Sequence, residues 1–222
     1  MPRLRLAAPF AAAALAAGAG LYLGSGAQGN LARAEPVEIA PGVVETDECR
    51  LDDATRERLD AAATGEVAAM QTLERGLSLA SMEFEDREGK ATRLSDLGDG
   101  TKLLNLWATW CAPCRAEMPH LDDLAKSGDA DGSVEVVALN VDTGDADKPL
   151  RFLEEIGIEN LDLYREPTMR TFSALRMADI AVGLPVTILL DGESCVLAAM
   201  NGPAVWNSAD ALGLIEAAAA TR

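Results

Sequence analysis

Two continuous apolar runs, Lys102 to Ala108 and Val134 to Val141, are bounded by polar, turn-forming residues. Runs of that length read as strands covered on both faces. Between them the spacing predicts a helix from about Ala112 to Lys126, with Pro119 as a potential kink. After the second run, Asp147 to Ile156 has helical periodicity and Gly157 ends it. Leu161 to Tyr164 reads as a short strand and Thr168 to Met177 as a helix. The β-rich stretch Gly183 to Asp191, headed by Pro185, turns at Asp191-Gly192 into a strand over Cys195 to Met200. Asn207 or Ser208 then caps a last helix, Ala209 to Ala219. Upstream, Met82 to Glu85 and Ala91 to Leu94 flank Arg87-Glu88-Gly89-Lys90 as a hairpin. Strands alternating with helices and ending in a hairpin predict an α/β domain over residues 82–222, a central mixed sheet with helices on both faces.

The preceding segments carry weaker patterns. Residues 49–81 read as an N-terminal helical extension, with one helix over Asp52 to Ala63 and a second short one over Val67 to Leu73 after Gly65. Residues 35–48, with Pro36, Pro41 and little apolar periodicity, read as a linker, order beginning near Cys49. Residues 1–34 begin Met-Pro-Arg-Leu-Arg and then carry no charge from Leu6 to Ala32. As a helix, Leu6 to Leu23 spans about 27 Å, close to a bilayer's hydrocarbon thickness, and Arg3 and Arg5 would stay cytoplasmic. An uncleaved anchor is the expected reading. The small residues of Ser25-Gly26-Ala27 and Ala32-Arg33-Ala34 leave open a cleaved signal and a soluble periplasmic product. Either outcome puts the remainder outside the cytoplasm. No internal repeat is visible.

The 222 residues suit one domain with appendages. The formal net charge is −17, and −19 without the leader, because Arg3 and Arg5 leave with no acid. Nucleic acid is excluded as a partner, since a phosphate backbone needs a basic face. The acid excess reads as solubility or adaptation to salt rather than as an acidic docking surface.

The chemistry lies in Trp107-Ala108-Thr109-Trp110-Cys111-Ala112-Pro113-Cys114-Arg115, where a strand hands over to a helix. Two thiols two residues apart close a disulfide within one turn, and the turn's free N–H groups and dipole favour a thiolate at the first. Pro113 suits a first helical turn. A zinc half-site is the competing reading of the motif. Cys49 and Cys195 stand alone, however, and His120 is the only histidine, so no metal is expected. His120 reads as a partly exposed helix residue and Arg115 as a surface cation, with support of a Cys111 thiolate as the alternative. Trp107 is expected in the core, with Trp110 as a lid beside the sulfurs.

That motif with its continuation Ala116-Glu117-Met118-Pro119, together with Gly183-Leu184-Pro185-Val186-Thr187 and Asn201-Gly202-Pro203-Ala204-Val205-Trp206, resembles the thioredoxin superfamily. Within it the chain is most similar to the membrane-anchored TlpA-like thiol:disulfide reductases, over roughly Met82 to the C-terminus. The resemblance implies a thioredoxin-like fold with Cys111 as nucleophile and Cys114 as the resolving thiol. It also implies a cis bond before Pro185, which would present Leu184 and, beside it, Trp110 to an extended substrate; an ordinary strand-start proline is the other reading. Thioredoxin has a buried aspartate where this chain has Asn105. Glu117 matches an acid of the TlpA-like reductases and is expected to take or relay the Cys114 proton, against the bland reading of a solvated helix residue. Once Cys111 pairs with Cys114, Cys49 is left for Cys195. The resemblance supports that structural bond, and two free buried thiols are the alternative.

The function expected is an extracytoplasmic protein disulfide reductase with no cofactor beyond the Cys111–Cys114 disulfide. It would be monomeric, tethered to the inner membrane and supplied by a membrane thiol donor. The resemblance implies substrates in copper-site assembly of cytochrome oxidase, with apocytochrome c as the runner-up. A copper-delivery module on the same fold is the non-enzymatic alternative, although it would want wider cysteine spacing and a nearby histidine. A peroxidase normally lacks the CxxC partner. A net oxidant stays open, because the potential depends on the relative stability of the two redox forms.

Overall fold

The computed structural model describes residues 35–220, so the anchor or signal reading of residues 1–34 lies outside the described residues. Among the described residues eleven strands and five α-helices follow one another. In order they are β1 Val37–Ala40, β2 Val43–Glu45, α1 Asp53–Ala62, β3 Gln71–Thr72, β4 Leu77–Ser78, β5 Glu83–Glu85, β6 Ala91–Arg93 and β7 Lys102–Trp107. Then come α2 Ala112–Asp131, β8 Glu135–Asn140, α3 Asp147–Glu155, β9 Tyr164–Arg165, α4 Arg170–Met177, β10 Val186–Leu190, β11 Val196–Asn201 and α5 Ala209–Ala219. Among the described residues no helix is long and apolar enough to cross a membrane.

The main sheet runs β3-β11-β10-β7-β8-β9-β5-β6. β7, β8 and β9 are parallel, and the other pairings are antiparallel. It is the mixed sheet that the order of apolar runs predicts. β7 and β10 are buried at every position, as continuous hydrophobic runs require, while β8 is buried from its second residue onward. Their antiparallel register sets Val186 opposite Leu106 and Thr187 opposite Asn105, so Pro185 lies at the end of the sheet where β7 leaves for α2.

Several elements differ from the sequence reading. Residues 37–45, read as linker, form a hairpin that joins β4 in a second, three-stranded sheet. Pro41-Gly42 supplies its turn, with Gly42 at φ +76°, and a Cβ there would meet the Met82 Cα at 2.9 Å. Ala40 and Val43 are buried despite the polar neighbours that hid the pattern. The second short helix is absent. Residues 65–67 make one 3-10 turn, after which Gln71 and Thr72 pair with Ala199 and Ala198 at the open edge of β11. Unpaired edge groups outweighed a weak helical periodicity there. The extension is therefore part helix and part strand. Helix α2 passes Pro119 and stops only at Gly132, which is left-handed at φ +69°. The strand expected over Leu161 to Tyr164 begins at Tyr164, because the Asp122 carboxylate accepts from the Glu159 and Asn160 amides at 3.1 and 2.7 Å and from the Asn160 side chain at 2.8 Å.

A disulfide joins Cys49 to Cys195, with the Cα atoms 5.1 Å apart across 146 positions of sequence. Beside it Ser78 bridges to Cys195, and the Leu79 amide donates to the Ser194 carbonyl at 2.9 Å. These contacts bind the extension to the turn between β10 and β11. Replacing both cysteines with alanine is expected to lower the unfolding free energy by about 2–5 kcal/mol, since so long a loop is then free to open in the unfolded chain. Urea unfolding under non-reducing conditions measures it, and an unchanged midpoint would show that the bond contributes nothing to stability.

Candidate active site

Chain direction brings the sulfurs to the surface end of the sheet. β7 ends at Trp107, the Cys111 amide donates back to the Ala108 carbonyl at 3.1 Å, and Cys111 becomes the N-cap of α2. Its Sγ accepts from the Cys114 amide at 3.3 Å, an orphan donor of the first turn. The two sulfurs are joined, with Cα atoms 5.3 Å apart, so the structure is the oxidised state. Cys111 is 5% exposed and Cys114 fully buried, an asymmetry that lets an outside disulfide reach only the first sulfur.

The turn before Cys111 rests on Asp142, a residue the sequence reading missed. Its buried carboxylate accepts from the Thr109 amide at 2.7 Å, the Thr109 hydroxyl at 2.9 Å, Asn140 Nδ2 at 2.9 Å and Lys148 Nζ at 3.3 Å. Burial alone would raise the pKa of Asp142, but these four donors together hold it below the usual aspartate value. The signal available in the sequence was Asn140-Val141-Asp142 at the end of a strand parallel to β7, in register with Trp107 at Asn140.

Glu117 lies on α2 three residues after Cys114 and is 1% exposed, so it is no solvated helix residue. Its Oε1 accepts from Asn105 Nδ2 at 2.8 Å, and its Oε2 from Trp206 Nε1 at 3.0 Å and the Ala204 amide at 3.2 Å. Asn105 also donates to Thr187 Oγ1 at 2.9 Å, while its Oδ1 is buried without a hydrogen-bond partner. Burial pushes the Glu117 pKa up to about 7 against the lowering effect of the Asn105, Trp206 and Ala204 donors. Glu117 also borders a groove of about 230 Å³ with Ala116, His120 and Pro203 to Val205. His120 is half-buried there.

The Leu184–Pro185 bond is cis, and the Gly202 amide donates to the Pro185 carbonyl at 2.9 Å. Leu184 is half-buried, Trp110 is 61% exposed, and Trp107 is buried with its ring 5.7 Å from that of Phe152. Trp110 thus stands outward beside the sulfurs. The Arg115 guanidinium lies 5.0 Å over the Phe152 ring. The structure gathers Cys111, Cys114 and Glu117 along α2 and sets Trp110 and Pro185 at the same end of the sheet, with Cys49–Cys195 in a separate place.

A mixed sheet whose β7 delivers an oxidised CxxC to the first turn of a long helix, opposite a cis-proline strand, defines a thioredoxin-like thiol:disulfide oxidoreductase. The sequence profile of the AhpC/TSA family matches residues 76–200, and the chain belongs to that family. It is 29% identical to the thiol-disulfide oxidoreductase ResA of Bacillus subtilis over 136 residues, 61% of this chain and 72% of that one. It is 36% identical to the thiol:disulfide interchange protein HelX of Rhodobacter capsulatus over 111 residues, 49% of this chain and 57% of that protein. In the latter case the chain spans little more than half its relative's length. Among solved structures, a putative thiol:disulfide interchange protein DsbE from Chlorobium tepidum superposes with a TM-score of 0.51 at 26% identity, covering 62% of this chain and 92% of that one. A secreted thiol-disulfide isomerase from Corynebacterium glutamicum shares the fold, with a TM-score of 0.55 at 24% identity over 67% of this chain and 92% of that one.

The raised pKa of Glu117 links stability to pH. Unfolded, the group titrates near the ordinary value of 4.5, and folded near 7, so the folded chain holds the proton more tightly. The contribution of Glu117 to stability is therefore fully present below about 4.5 and is lost as pH rises through about 7, by about 3 kcal/mol in all. Glu117→Gln is expected to abolish that decline in urea unfolding series across this range. The same slope in the variant would place the titrating group elsewhere.

Proposed function

We propose that this oxidoreductase works outside the cytoplasm as a reductant of protein disulfides, and that Glu117 is the proton partner of Cys114. The observation that carries the reading is Cys111 at the α2 N-terminus, the more accessible of the two cysteines at 5% exposure, backed by a carboxyl group poised near neutrality. In the reduced protein the Cys111 thiolate attacks one sulfur of a substrate cystine. The substrate S–S bond breaks, a mixed disulfide forms, and the departing substrate sulfur takes a proton from water. Cys114 then gives its proton to Glu117, one turn along the same face, and its thiolate attacks Cys111 Sγ. The Cys111–substrate S–S bond breaks, the second substrate sulfur leaves as a thiolate that takes its proton from water, two electrons have passed to the substrate, and the Cys111–Cys114 disulfide of this structure results.

Glu117 needs an acceptor once it holds that proton. A half-turn of the Asn105 amide brings Oδ1, now without a partner, to where Nδ2 donates to Glu117 Oε1. An asparagine can serve both protonation states in this way, whereas an aspartate would add a second charge. Leu184 and Pro185 offer backbone to an extended substrate, with Trp110 beside it as an apolar contact. A dithiol donor in the membrane would return the protein to its reduced form. The uncharged leader of residues 6–32 and the Cys49–Cys195 bond support an extracytoplasmic, membrane-tethered site, since such bonds persist in oxidising compartments. Similarity to the thiol-disulfide oxidoreductase ResA and the thiol:disulfide interchange proteins HelX and DsbE supports the exchange chemistry, and the resemblance to TlpA-like reductases offers copper-site assembly in cytochrome oxidase or cytochrome c maturation as the process served.

Cys114→Ser is expected to strand substrates on Cys111 as mixed disulfides that mass spectrometry identifies, and Cys111→Ala to strand none. Trapping by neither, with no cystine reduced by the wild type, would defeat the reductase reading. In wild type, kcat/KM for cystine reduction should carry an inflection near pH 7. Glu117→Gln should lose that inflection and about 10²-fold in rate, and a profile of unchanged shape would remove Glu117 from the proton path.

A further inference from the structure

Beside the CxxC lies a second groove, of about 370 Å³, between the turn that carries Trp110 and helix α3. Phe152 lies along it, and Arg115, Lys148 and Arg151 converge on it, against one lining acid, Glu155. In a chain with 36 acidic and 19 basic residues, three cations at one opening make a local reversal of sign next to the nucleophile. The cations are available. Arg115 stacks on the Phe152 ring, an arrangement that leaves its guanidinium edge free to bond. The side chains of Lys148 and Arg151 are 53% and 60% exposed. Lys148 Nζ donates to Asp142 at 3.3 Å and keeps two further N–H donors for a second acceptor, and Asp147 touches Arg151 only at 3.9 Å on the exposed helix face, a weak pair.

We propose that this groove docks the acidic flank of a partner polypeptide, so that aspartates or glutamates near its cystine engage Arg115, Lys148 and Arg151 while Trp110 covers the apolar side. The inference rests on the reductase reading and names the substrate class it favours. Elsewhere the protein's negative charge repels an acidic partner, so the groove fixes where and in which orientation such a partner approaches Cys111. No bond to sulfur is made in docking. The electron transfer that follows is the exchange already described.

The experiment uses disulfide-bridged peptides of one length, with glutamates, serines or lysines beside the same cystine, and their counterparts with serine in place of cysteine. In low salt kcat/KM should fall from the acidic to the neutral to the basic peptide, the extremes differing by about fivefold, and the spread should shrink as salt is added. Arg151→Glu should erase or invert the acidic preference, and Arg151→Lys should keep it. Calorimetric binding of the cysteine-free peptides separates the two readings. If the acidic peptide binds preferentially but no cystine is reduced, the docking surface stands and the reductase reading falls. If reduction and binding ignore peptide charge, or if Arg151→Glu leaves the preference intact, the groove has no such role.

Discussion

A carboxylate taken out of water must find its donors inside the protein, and the geometry of the reactive end follows from the two that α2 and the loop after β8 bury there. Glu117 draws on β7 through Asn105 and on the segment after β11 through Ala204 and Trp206. Asp142 draws on the Thr109 amide and hydroxyl, on Asn140 and on Lys148. Between them they tie together two strands, the segment after β11, the cysteine turn and two helices. An unmet buried charge costs several kcal/mol, so each network is satisfied only when every contributing element is in place. The position of Cys111 is thus a consequence of how two buried carboxyl groups are solvated by the chain.

The two carboxylates share this structural role and differ in protonation. Asp142 has four donors, and it is held ionised, below the usual aspartate range. Glu117 has three and is pushed up to about 7 by deeper burial. One is a fixed anion that shapes a turn. The other changes state within the range where thiols exchange protons, and only that one lies on the face of α2 shared with Cys114.

Much of this was legible in the sequence where the signal is local. Continuous apolar runs located β7, β8 and β10, and Ser208 caps α5 as its residue type suggests. The CxxC with Pro113 located the helix start. What escaped depends on partners remote in sequence. The hairpin at residues 37–45 is specified by pairing with β4 and close contact of Gly42 with Met82, neither visible in its own composition. Gln71–Thr72 is a strand only because β11 has an open edge. Asp142 reads as one acid among 36, and its burial follows from the parallel register of β7 and β8. Glu117 was singled out by resemblance, whereas its donors from Ala204 and Trp206 come from nearly ninety positions away.

The acid excess takes on a different meaning once the fold is known. On composition alone it is a uniform property, favouring solubility and saying nothing of where partners approach. Folding distributes it unevenly. Lys148 and Arg151 stand on the exposed face of α3, and the Phe152 ring carries Arg115 beside them. Lys148 also donates to Asp142, so the cation at the groove and the anion under the cysteine turn belong to one hydrogen-bonded chain. The groove and the turn that positions Cys111 therefore share a side chain. Rigidity at the turn fixes the edge of the groove as well, and this coupling needs no moving part.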